Sequence, residues 1–389
     1  MHRLFRHIFM LVALCLAGCG ERGVAFNTEA FSELLYQPQY AAGFEILSTA
    51  EGDARLIVVK NPWQGAEGVE QMLLIDSGRR FDVGLHPEVQ RITAPAERIV
   101  CLSSSHIAML DAIGEVERVV GVSGINFIMN EHIVANRTKI GDIGYDNNMN
   151  YELLLSLDAD LVMLYGVSAE NSIERKLREL GIPYIYIGEY VESSPLGKAE
   201  WMVAVAEITG RREIGEEHFN AIATSYNSTA QRIAEHTATA TRPQVMINTP
   251  YRDAWVLPSE NNYMARIISD AGGRCYTTEG EGNTSKPIDI EQALLYAESA
   301  DFWLNVGSCH TLQELTSQNP RFANVKVVEE RKEKRRVYNN TARSTAPVGS
   351  DFWESGVVRP DLILKDLATI FHPEIMGEEH TLYYYTRLN

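Results

Sequence analysis

The feature that most constrains this chain is a helix-strand unit written twice, once on each side of a long helical stretch. Asn150 to Gly166 read NYELLLSLDADLVMLYG, and Asp289 to Gly307 read DIEQALLYAESADFWLNVG. In each, a Glu opens a short helix of apolar periodicity, an Ala-Asp pair closes it, and an apolar strand runs on to a Gly. Between the two lies Pro195 to Ala238. Within it, Leu196 to Ile208 is one predicted helix, Thr209-Gly210 breaks it, and a second is expected from Glu213 to Ala238. Ile214, Phe219, Ile222, Ala223, Tyr226, Ala230 and Ile233 recur at helical spacing and give the second helix one apolar face. At 1.5 Å per residue it would be roughly 39 Å long, enough to reach from one half to the other. A stiff helix between two like α/β halves predicts two lobes with a cleft, the usual setting for a small ligand.

The expected fold class is therefore α/β: two lobes, each with a central mostly parallel sheet, joined by a long α-helix, plus a small β-rich N-terminal extension. The extension covers 19–93, the first lobe 94–209, the interlobe helix 210–240 and the second lobe 241–389. In the extension, Phe44 to Ser48, Arg55 to Lys60 and Gln71 to Ile75 are short β-type runs separated by Gly, Asp and Pro, as in hairpins. Trp63, in the turn Asn61 to Gly65, is expected to pack on the main body. From Pro95 onward strands alternate with helices, which argues for a parallel sheet whose ligand crevice lies beyond the strand carboxyl ends. Ser103 to His106, Ser123 to Phe127 and Tyr165 to Ser168 fall at such ends and are expected to meet at one mouth. The second lobe opens with a strand over Gln244 to Asn248, then a loop from Thr249 to Trp255.

The N-terminus sets the compartment. Arg3 and Arg6 precede an apolar run from Ile8 to Ala17, too short to span a bilayer and right for a signal-peptide core. It ends in Leu16-Ala17-Gly18-Cys19, which resembles a bacterial lipobox. Residues 1–18 are thus expected to be removed and Cys19 to carry the lipid anchor, placing the protein in the cell envelope facing the periplasm, tethered by lipid only. The formal charge of -17 becomes -19 once Arg3 and Arg6 are gone, which argues against nucleic acid and against adhesion to an anionic membrane by charge. Cys101, Cys275 and Cys309 then remain, enough for at most one internal disulfide. Cys275 with Cys309 is the better pair on lobe membership.

In the stretches Pro95-Ala96-Glu97-Arg98-Ile99-Val100-Cys101-Leu102-Ser103, Val119-Val120-Gly121-Val122, Asn150-Tyr151-Glu152, Asp160-Leu161-Val162 and Gly181-Ile182-Pro183, and in the connector itself, the chain resembles the periplasmic substrate-binding lipoproteins of ABC importers for metal chelates. These are the helical-linker class, serving ferric siderophores, haem and cobalamin. The resemblance covers about Pro95 to Pro373 and leaves the extension outside. It implies a monomer with no cofactor and no covalent chemistry, which captures an iron compound (ferric siderophore or haem) and delivers it to the transmembrane subunits of a permease; cobalamin is the alternative. It also implies that Glu152 and Glu291, the Glu residues of the two repeated units, dock on permease arginines, although a Glu in a first turn also complements the helix dipole. Tyr145 matches the position of an axial Tyr in haem-binding relatives, and a phenolate suits Fe(III). Yet Asp146-Asn147-Asn148-Met149 depart from the haem pattern, and Tyr145 suits stacking on a corrin or catecholate as well. No other residue is assigned to a metal.

The candidate ligand contacts combine strand-end groups with aromatic and cationic ones. Ser103, Ser104, His106 and Asn305 belong to the first kind, with His106 expected chiefly to orient its loop. Tyr145, Tyr165, Tyr251, Trp255, Tyr338 and Trp353 form a candidate aromatic lining, each equally suited to core packing. Arg252, Arg343 and Arg359 are available for anionic chelates. The sequence shows no cluster of His and carboxylates at metal-ligand spacing. An enzyme is the main reading from another class, but G-x-S-x-G, H-E-x-x-H and P-loop patterns are absent. A lipid-tethered chelatase or hydrolase is what remains of that reading.

Overall fold

The computed structural model describes residues 24–76, 81–145, 148–166, 172–239, 241–252, 254–280, 283–329, 336–345, 349–377 and 379–389. The expected signal peptide and Cys19 lie outside these. No helix among the described residues is long and apolar enough to cross a membrane.

Two five-stranded sheets form the lobes. In the first, the order is Gly141–Asp142, Val119–Val122, Ile99–Cys101, Leu161–Tyr165 and Tyr184–Ile187, all parallel. In the second it is Arg274–Cys275, Gln244–Ile247, Phe302–Leu304, Val337–Asn339 and Thr386–Arg387, parallel except for the last pair. Both lobes place their first strand between their second strand and the strand of the repeated unit. The duplicated sequence is thus a duplicated topology. In this doubly-wound order the crevice opens where the chain leaves the first strand to one side and re-enters on the other, at the strand carboxyl ends.

The connector runs from Arg212–Thr237, one residue earlier at each end than its apolar face predicts. It does not bridge open space. One flank packs along the helix Pro195–Ile208, the other along Pro360–Phe371 of the second lobe. Every residue of Pro195–Ile208 is buried, including Lys198, Glu200 and Glu207.

The two carboxylates, Glu200 and Glu207, are met there by the extension. Its sheet runs Glu33–Tyr36, Phe44–Ser48, Ala54–Lys60, Glu70–Asp76 and Val89–Ile92, with only the last pair parallel. The loop between its first two strands wraps the buried helix. Glu200 accepts the Tyr36 hydroxyl at 2.8 Å and the amides of Gln39, Tyr40 and Ala41 at 2.8, 2.8 and 2.7 Å. Glu192 accepts the amides of Ala42 and Gly43 and the Trp201 indole, each at 3.0 Å. Burial alone would make either carboxylate costly; each is retained by a full set of donors. Further along, Gln71 Oε1 accepts the Tyr186 amide at 2.9 Å, so a side chain of the extension covers the outer edge of the first lobe's sheet. Trp63 meets Tyr186 edge-on at 5.2 Å, packed on the main body as expected.

One local expectation is corrected. The loop expected from Thr249 to Trp255 ends early: Ala254–Pro258 is a strand, paired antiparallel with Ser285–Asp289. Pro258 and Pro287 within these runs obscure the β pattern, and prolines are tolerated there because the ribbon has only two strands.

Candidate functional site

A cavity of about 540 Å³ opens between the lobes, within the range of small-molecule sites. Its walls are the strand carboxyl ends of both sheets. From the first lobe come Ser103 and Ser105, just past Ile99–Cys101, and Glu189 and Tyr190, just past Tyr184–Ile187. From the second come Asn248, past Gln244–Ile247, and Asn305, past Phe302–Leu304. Asn248 and Asn305 occupy corresponding positions in neighbouring strands, and both take left-handed backbone conformations, with φ of 68° and 58°. Asn tolerates that region better than other residues with a Cβ, and the turn it makes here faces both asparagines to the cavity. Phe352 and Trp353 close one side, and Gln64 of the extension reaches the wall.

The cavity's electrostatics centre on three buried groups. Ser103 caps the helix Ser104–Ala112 and its hydroxyl lies 2.7 Å from that of Ser105, which donates to Glu189 Oε1 at 2.5 Å. The second carboxylate oxygen, Oε2 of Glu189, is buried with no hydrogen-bond partner among the described residues. Lys198 donates to the Glu189 carbonyl at 2.7 Å and lies 4.8 Å from the Tyr263 ring centroid and 5.9 Å from that of Tyr190. Burial pushes the Lys198 pKa down; the charges of Glu189 and Glu192 oppose this. Behind them His106 is fully buried, its pKa lowered by desolvation against a smaller pull from Glu189. Among the described lining residues Lys198 is the one cation and Glu189 the one carboxylate. Around them stand the hydroxyls and amides of Ser103, Ser105, Asn248, Asn262, Asn283 and Asn305. Such a site offers a cation, an unsatisfied acceptor, aromatic faces and neutral hydrogen-bonding groups.

Of the twelve residues expected to contact ligand, Ser103, Asn305 and Trp353 line this cavity. Ser104 and His106 lie on the helix behind the Ser103 loop and do not line it. Trp255 is a core residue, fully buried, its indole donating to the Ile247 carbonyl at 2.9 Å and its ring 5.6 Å from Trp303. Tyr251 is 72% exposed with Arg252 stacked on it at 5.3 Å, away from the lining. Tyr145 is 47% exposed, edge-on to Phe127 at 5.6 Å, and also outside the lining. Tyr165 ends its strand half-buried, and Tyr338 is half-buried in a strand near Phe302; neither lines the cavity. Two of the arginines are taken by carboxylates: Arg343 pairs with Asp351 at 2.5 Å, and Arg359 with Asp361 at 3.0 Å. The cation that faces the cavity is Lys198 instead.

Two signals in the sequence point to the residues so missed. Lys198 is a charge inside an otherwise apolar helix, PLGKAEWMVAVAEI, and Glu189-Tyr190 follow a strand as directly as Ser103 does. Glu152 and Glu291 are both exposed, each in the first turn of its repeated helix. Glu291 is held by Arg321 through two hydrogen bonds of 2.6 and 2.8 Å, which keep its carboxyl below the usual pKa range. Cys101, Cys275 and Cys309 are all free thiols, so Cys275 and Cys309 are not joined.

Comparison with known proteins agrees with this geometry. Residues 99–335 match the family described as periplasmic binding protein. An uncharacterized lipoprotein of Methanocaldococcus jannaschii is 26% identical over 306 residues, 75% of this chain and 69% of that protein. The crystal structure of a periplasmic heme binding protein from Pseudomonas aeruginosa superposes with a TM-score of 0.54 at 17% identity, covering 72% of this chain and 93% of its own. That of a molybdate periplasmic binding protein from Haemophilus influenzae also reaches 0.54 at 17%, covering 74% and 89%. With two like lobes, a helical connector, a cleft at the strand ends and a match over more than half its length, the chain belongs to the periplasmic binding protein family.

Proposed function

We propose that this protein is the substrate-binding component of an ABC importer, and that it captures an iron chelate of the ferric siderophore type in the interlobe cavity for delivery to the permease. Family membership implies a small-molecule ligand and a permease partner, and similar solved structures include a heme and a molybdate periplasmic binding protein. The observation that carries the choice of ligand is the cavity wall. Lys198 over two tyrosine rings suits a carboxylate, phenolate or other anionic group of a chelate, while Glu189 Oε2 suits a ligand N–H or O–H. The surrounding amides and hydroxyls suit a polar chelate better than a flat tetrapyrrole. Haem and cobalamin are the competing ligands. Cys19 anchors the mature chain by lipid in this reading, with its lobes in the periplasm.

The test is titration of the tag-free mature protein with ferric siderophores, haemin and cyanocobalamin, followed by visible spectra and tryptophan fluorescence. Saturable binding of a ferric siderophore is expected, with Lys198→Met at least about 10-fold weaker while its far-UV spectrum is unchanged. Tight binding of haemin or cobalamin instead would replace the siderophore reading. If none of the three binds, the iron-compound reading fails.

A further inference from the structure

Away from the cavity, the end of the connector helix meets the C-terminal helices at a group of three metal-ligating side chains. His236 lies in the last turn of Arg212–Thr237, His372 caps Pro360–Phe371, and Glu374 belongs to the short helix Pro373–Met376. His236 Nε2 is 2.9 Å from Glu374 Oε1, and His372 Nδ1 is 3.7 Å from the same oxygen. One ligand atom from each residue lies within 4.8 Å of the other two. None of the three lines the interlobe cavity.

The orientation of His372 is the telling part. It is buried, and its Nε2 faces the Gly272 carbonyl at 3.4 Å. In the neutral ring a proton on Nε2 serves that carbonyl, and the Nδ1 lone pair is then turned toward the Glu374 carboxylate. A backbone carbonyl that fixes one imidazole nitrogen so that the other can ligate is the usual outer-shell arrangement of a metal-bound histidine.

We propose that His236, His372 and Glu374 bind a zinc-type divalent cation, which clamps the end of the connector helix to the second lobe. Two imidazoles and one carboxylate are a donor set for Zn²⁺ and its first-row neighbours, with water completing the tetrahedron. Closing the shell needs only a modest approach of the His372 ring, since bonds near 2.0–2.2 Å hold ligand atoms roughly 3.3 Å apart. The sequence holds His372 and Glu374 two positions apart, but His236 joins them only through the fold, which is why no cluster is legible along the chain.

The experiment is zinc titration of the tag-free, EDTA-stripped full mature chain by calorimetry and by competition with a chromophoric chelator, alongside His236→Ala and Glu374→Gln. Both substitutions are at exposed positions and should leave the fold intact. One equivalent of zinc is expected to bind the parent, with about 10- to 100-fold weaker binding in each variant. At free zinc 100 times the Kd, the parent Tm should rise by about 3 °C and return on adding EDTA, while the His236→Ala variant does not respond. Equal zinc affinity in parent and variants, or no saturable binding in the parent, would overturn the assignment. A pH-dependent His-Glu ion pair with no metal response belongs to the second outcome.

Discussion

At the scale of single residues, the molecule is governed by charges held where water is absent. Lys198 shares a wholly buried helix with Glu200 and Glu207, yet only Lys198 reaches the cavity; the carboxylates are consumed by the extension and by Arg55 and Arg212. Glu354 shows how far such burial shifts a titration. Its Oε2 accepts the Met129 amide at 2.9 Å across the lobe boundary, and burial, with Asp351 and Asp111 nearby, pushes its pKa up to about 7. Because the folded value lies above the unfolded one, its contribution to stability is full below about pH 4.5 and is lost as pH rises through 7. Glu192, Glu207 and Asp270 are shifted in the same direction, so the effect of Glu354 must be read as a difference. Thermal unfolding from pH 5 to 8 should cost the parent several degrees more than Glu354→Gln, which is neutral throughout. Parallel curves would remove Glu354 as the source.

Among the elements, the extension and the helix Pro195–Ile208 form one unit. Glu200 satisfies four donors supplied by residues 36 to 41, so truncating it strands buried N–H and O–H groups on the opposite partner. Glu200→Ala is expected to destabilise the protein by roughly 3 kcal/mol or more, and Glu200→Gln by less, measured by denaturant unfolding. Limited proteolysis should then release the extension first; cleavage spread evenly over the chain would contradict this coupling. Much of this layer was legible beforehand. The strands of the extension's described residues, the break at Thr209-Gly210 and the connector's apolar face are local patterns, and local patterns survive in sequence. The ribbon Ala254–Pro258 with Ser285–Asp289 was not, because its prolines and polar residues carry no alternation to read.

For the whole molecule, the repeated units place Glu152 and Glu291 each in the first turn of an equivalent helix, on lobes tied by a connector packed along both. If they are the permease contacts, Arg321 holds one of them until a permease arginine displaces it, an exchange that exposed pairs make readily. Glu152→Arg with Glu291→Arg should abolish uptake by cells while leaving ligand affinity unchanged; uptake that persists would sink the docking role. The sequence by itself determined the architecture: two α/β lobes, a helical connector and a cleft at the strand ends. It did so because helix periodicity, strand composition and a duplicated unit are encoded within a few turns of chain. Only the tertiary structure decided what the cleft contains. Ser105 meets Glu189 across 84 positions and Glu200 meets Tyr36 across 164, and His236 reaches Glu374 across 138. Whether a lysine or an arginine faces the cavity depends on which carboxylates fold against the others, and that choice is made by burial and long-range pairing, which no local spacing records.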